Sequence, residues 1–145
     1  VLFRSVNSNF NEINKLKNIC DINNIKVFQA LDAEDLSLIF TGSQFLIITG
    51  GTLLYEAVAV NVPAIVYPQF ENLIKEVSWF EKQKAIINME YSGAFNFIKL
   101  EDILERIVNS KDVLTNMSNN QKNISSNLGL GKILNSIQYL LSHTE

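Results

Sequence analysis

The 145 residues carry twelve lysines and arginines against fifteen acids and one histidine, a formal charge of −3 at pH 7. No basic run is present that could follow a phosphate backbone, which excludes a nucleic-acid binder built on a clustered basic face. A hydrophobic fraction of 47% with 10% aromatics belongs to a globular chain able to bury a core, and it excludes an intrinsically disordered one.

Length predicts a single domain over residues 1–145. The longest uncharged apolar stretch, residues 57–68, is interrupted by Asn61 and Pro63 and falls short of a bilayer span, so no transmembrane segment is expected. The start at Val1 lacks the basic opening and cleavage site of a signal peptide, and it points to a processed or truncated chain. Cys20 is the only cysteine and cannot form an internal disulfide, which fits a reducing, cytoplasmic setting.

VLFRSV, residues 1–6, reads as a short strand, and Ser8 or Asn9 can cap the helix that follows. In that helix Phe10, Ile13, Leu16, Lys17 and Cys20 recur at helical spacing, which puts Cys20 on its apolar face. IKVFQA, residues 25–30, is a second strand. Asp32, Glu34 and Asp35 then open a helix, where carboxylates suit the positive dipole end better than they suggest a metal site. Leu36, Ile39 and Phe40 give this helix an apolar face, and Gly42 ends it.

FLIIT, residues 45–49, is a continuous apolar run of the kind covered on both faces of a parallel sheet. Gly50 and Gly51 stand where the chain must leave that strand for a helix. They read either as a tight turn alone or, with the outward amides from Thr52 onward, as an anion seat. Leu53, Leu54, Ala57, Val58 and Val60 cover the sheet side of the short helix, while Thr52 and Glu56 share another side. A capping box would put the acid three residues after the threonine rather than four, so Glu56 has no capping duty and reads as either solvated or ligand-facing.

AIVY is the next buried strand, ended by Pro68. Residues 69–84 open as the polar loop QFEN and continue as a helix with Ile74, Val77, Trp79 and Phe80 inward. AIINM is a last short strand, YSGAFNF a connector and LEDILERIV a helix. Residues 110–128 are rich in Asn and Ser, and the N-x-S matches at Asn116 and Asn123 read as chance. LGKILNSIQYLL closes the chain as an amphipathic helix, with His143 a solvated tail residue. This alternation predicts an α/β fold, a Rossmann-like parallel sheet flanked by helices. Ligands in such sheets bind beyond the carboxyl ends of the strands. The loops after Phe28, at Gly50 and Gly51, and from Gln69 to Asn72 are expected at that edge.

The stretch SQFLIITGGTLLYEAVAVNVPAIVYP resembles a block in the C-terminal halves of GT-B-fold nucleotide-sugar enzymes. It is most similar to UDP-sugar hydrolases of the pseudaminic-acid pathway and spore-coat polysaccharide relatives, and more distantly to peptidoglycan N-acetylglucosaminyltransferases. DAEDLSLIFTGS and KEVSWFEKQKA resemble the flanking helices, so the likeness covers residues 25–90. It implies that Gly50, Gly51, Thr52 and Leu53 face the phosphates of UDP or a UDP-sugar and that Glu56 takes the ribose hydroxyls. Glu71 and Asn72 fall where the family carries an Asn-Gln pair for sugar or phosphate, and here Leu73 replaces the glutamine. No metal or other cofactor is implied, because helix-end amides can neutralise the phosphates.

The resemblance also implies that the chain is one piece of a two-domain protein, without the first strand of its sheet. In the family that strand lies centrally, between the strands that VLFRSV and FLIIT resemble. Either the sheet re-pairs, or another chain fills the gap in a homodimer, or VLFRSV takes the central place. The catalytic groups belong to an N-terminal domain, so no residue here is expected to be catalytic. The expected function is the UDP-binding half of a surface-polysaccharide or nonulosonic-acid hydrolase, inactive alone. The alternatives are a glycosyltransferase domain, or a non-catalytic binding or oligomerisation module that kept the fold.

Overall fold

The computed structural model of the chain describes residues 2–5, 26–29, 31–110 and 112–125, and of residues 2–5, 26, 27 and 29 the backbone alone. The expected helix over residues 10–20 with Cys20, the closing helix and His143 lie outside the described residues. Two compact units divide the chain, Val1–Thr41 and Gly42–Glu145.

In the first unit, β1 (Leu2–Ser5) and β2 (Lys26–Gln29) form a parallel ladder, with Leu2 opposite Lys26 and Ser5 opposite Gln29. Helix α1 (Ala33–Thr41) follows. Asp32 caps it, its Oδ1 accepting the Asp35 amide at 2.8 Å, so this acid serves the helix start, while Glu34 and Asp35 are exposed. Leu36 and Phe40 are buried at helical spacing.

The second unit is mixed α/β. Its strands β3 (Leu46–Ile48), β4 (Ala64–Val66) and β5 (Ile87–Asn88) form a three-stranded parallel sheet in that order. Five helical segments accompany them: α2 (Thr52–Ala59), a 3-10 turn at Glu71–Leu73, α3 (Ile74–Lys82), α4 (Phe97–Asn109) and α5 (Asp112–Ser125). All three residues of the central strand β4 are buried, which is why AIV carries no polar alternation. Pro63 and Pro68 flank it, outside the ladder where a missing N–H would matter.

Residues alternate across a strand, so Ile65 and Val66 point to opposite faces. On the Ile65 face lie Met89 and the α4 residues Ile103 and Ile107, with Val113 and Leu114 of α5 packed against them. Leu54, Ala57 and Val58 of α2 and Val77 and Phe80 of α3 are buried as well, and Val77 and Val66 meet beside Gly50. Helices thus flank both faces of this small sheet. Ile47 of β3 is exposed, however, so the FLIIT run is covered less fully than its composition suggests.

Three further differences from the sequence reading have local causes. Ile74 and Trp79 are exposed: Val77 and Phe80 define the buried stripe of α3, and Trp79, two residues from Val77, projects about 200° around the helix from it. Helix α4 begins at Phe97, ahead of LEDILERIV, because the Asn96 side chain accepts the Lys99 amide at 3.0 Å and caps it there. The Asn- and Ser-rich stretch is also helical. Its α5 packs along α2 and spends its polar side chains on backbone carbonyls elsewhere in the unit.

Asn61 and Lys84 end the runs that follow α2 and α3 with positive φ, 58° and 55°. Ser118 Oγ donates to the Asn61 carbonyl at 2.8 Å, and Asn120 Nδ2 to that of Lys84 at 3.0 Å. Between them, the fully buried Gln121 donates from Nε2 to the carbonyls of Val62 (3.1 Å) and Ala85 (2.9 Å). One side chain therefore ties together the two turns that lead into β4 and β5. Among the described residues no helix is long and apolar enough to cross a membrane.

Candidate functional site

Strand β3 ends at Ile48, and the chain turns through Thr49, Gly50 and Gly51 into α2. Both glycines have positive φ, 93° and 66°. Gly51, with ψ −148°, lies in a region of backbone space that is essentially closed to other residues. Gly50 is buried: a Cβ there would meet Val77 Cγ2 at 3.4 Å and Leu73 Cδ1 at 3.6 Å. At Gly51 a Cβ would meet nothing within 4 Å, so the turn packs on one side and opens to space on the other.

The first helical hydrogen bond runs from the Leu54 amide to the Gly51 carbonyl, at 2.9 Å. The amides of Thr52 and Leu53 precede it and have no acceptor within their own helix, as at any helix start. The Gly51 amide differs. It donates to Glu76 Oε1 at 3.1 Å, a contact that reaches across from the first turn of α3. Glycine supplies α2 with no side-chain cap, and the Glu76 carboxylate instead holds the amide of the N-cap residue itself, where the positive ends of both helices favour it.

Glu56 lies one turn along α2 from Thr52 and is half-buried, while Thr52 is exposed. Among the described residues its carboxylate has no hydrogen bond or ion pair; only its backbone carbonyl is engaged, by the Val60 amide at 3.2 Å. Glu71 and Asn72 are exposed on the 3-10 turn that precedes α3. Leu73 directs its Cδ1 toward Gly50 and serves packing.

The structure therefore brings together the diglycine turn, Leu73 and Glu76, with Glu71 and Asn72 on the adjoining turn. The loop after Phe28 belongs to the other unit. Glu76 is the residue that sequence reasoning missed. An acid in the first turn of a helix reads as a partner for that helix's own dipole, and nothing in its local pattern points 25 residues back to Gly51. The uncapped start of α2 points to the amides of Thr52 and Leu53 rather than to that of Gly51, so no local signal marks this contact.

Among the described residues no group of three or more His, Cys, Asp and Glu could hold a metal. The arrangement offers the Thr52 and Leu53 amides as donors to an anion and, among the described residues, an unpaired Glu56 carboxylate as an acceptor for hydroxyl groups. No protein-family model matches the chain, and a search among curated proteins finds no match.

Proposed function

We propose that this chain is the UDP-binding half of a GT-B-type nucleotide-sugar hydrolase. It would serve surface-polysaccharide or nonulosonic-acid biosynthesis in the cytoplasm and be inactive without an N-terminal domain that carries the catalytic groups. In this reading the Thr52 and Leu53 amides meet the diphosphate at the turn that Gly50 and Gly51 make possible. Glu56 accepts the ribose hydroxyls, and Glu71 and Asn72 stand toward the sugar. The single observation that carries the proposal is the half-buried residue Glu56, its carboxylate without a partner among the described residues, one turn from a helix start that opens from a diglycine turn. A carboxylate with no partner among the described residues is open to accept hydrogen bonds, and vicinal hydroxyls supply two donors.

Calorimetric titration with UDP tests the reading. The native chain binds, and Glu56→Ala binds about tenfold more weakly, roughly 1.4 kcal/mol. Equal affinities would remove Glu56 from the site. A transferase would use the same half for its donor, and the acceptor site of the N-terminal domain decides between the two.

A non-catalytic binding or oligomerisation module is the second reading. Leu73, packed toward Gly50 where the resemblance expects a glutamine, and the Glu76 carboxylate on the Gly51 amide favour it. It predicts that no uridine nucleotide raises the melting temperature and that the chain forms a stable homodimer in solution.

A further inference from the structure

Resting on the nucleotide-binding reading, we infer that Glu76 is an internal stand-in for phosphate, a carboxylate that holds the seat closed until a ligand displaces it. The Gly51 amide immediately precedes the free amides of Thr52 and Leu53, and the Glu76 carboxylate already occupies it at 3.1 Å. The contact is tertiary, between the first turn of α3 and the residue that precedes α2. On its Cα side Gly51 meets nothing within 4 Å of where a Cβ would stand, so the turn leaves room beside the residue whose amide Glu76 holds.

A phosphate oxygen and a carboxylate oxygen cannot both accept the one Gly51 proton at full strength, and two anions placed side by side repel. UDP must therefore rotate Glu76 away or bind with its phosphates displaced from Gly51. Either way Glu76 lowers the affinity for phosphorylated ligands specifically. The nucleoside part does not meet this competition. Glu76 is thus a regulatory contact, with the glutamate side chain as the moving part.

The test is titration of UDP and of uridine into the 145-residue chain and its Glu76→Gln and Glu76→Ala variants, with melting curves to confirm folding. Glutamine keeps an oxygen for the Gly51 amide and removes the charge, so it is expected to stay folded even where alanine does not. The expected result is UDP binding about tenfold tighter in Glu76→Gln than in the native chain, with uridine unmoved. A native chain that binds UDP with the same or higher affinity than Glu76→Gln overturns the inference and leaves the nucleotide reading standing. A gain for uridine as large as that for UDP overturns it as well. Absence of UDP binding by all the folded proteins overturns both.

Discussion

At Gly50 and Gly51 the requirement for glycine has one cause in common and one that differs. Both have positive φ, where a side chain costs about 1–2 kcal/mol. A methyl added at Gly50 would recover ordinary contacts with Val77 and Leu73, whereas one at Gly51 would meet nothing. Gly51→Ala is therefore expected to lose about 1–3 kcal/mol in urea unfolding, and Gly50→Ala less. The reverse order would mean that the packed side of the turn, not the backbone, sets the cost. The diglycine and its spacing to Glu56 are visible in the sequence because they are local. Glu76 is not, since its role depends on how α3 is rotated, which Val77 and Phe80 decide by burying their side of the helix.

Among the elements, α5 shows most clearly what hydrophobic periodicity misses. Its inward positions run through Val113, Leu114, Met117 and Gln121, so a buried glutamine stands where an apolar residue would have completed the pattern. With Asn and Ser around it, the segment resembles a solvated linker. Its function is to satisfy carbonyls at two left-handed turns, a need that appears only once those turns are brought together. Gln121→Leu keeps the volume and leaves the Val62 and Ala85 carbonyls without their donor. It should cost about 2 kcal/mol or more by thermal or urea unfolding. A loss below about 0.5 kcal/mol would show that water takes over both bonds. By contrast β4, α2 and the buried face of α3 follow directly from apolar runs and helical spacing.

For the molecule as a whole, strand type and the parallel sense of pairing were legible, because buried branched residues alternating with amphipathic helices leave few other arrangements. What the alternation does not carry is how strands group. β1 and β2 pair in one unit and β3, β4 and β5 in another. The Gln121 clamp has a consequence for how the protein is made. The turns into β4 and β5 emerge from the ribosome well before the helix that ties them, since Val62 and Ala85 precede Gln121 by 59 and 36 residues. At about 5–20 residues per second, the nascent sheet waits seconds with those carbonyls untied. Ribosome-stalled chains of increasing length should therefore gain protease resistance across residues 42–110 only once α5 has cleared the exit tunnel. Protection that appears while α5 is still inside would mean that the sheet closes without its clamp.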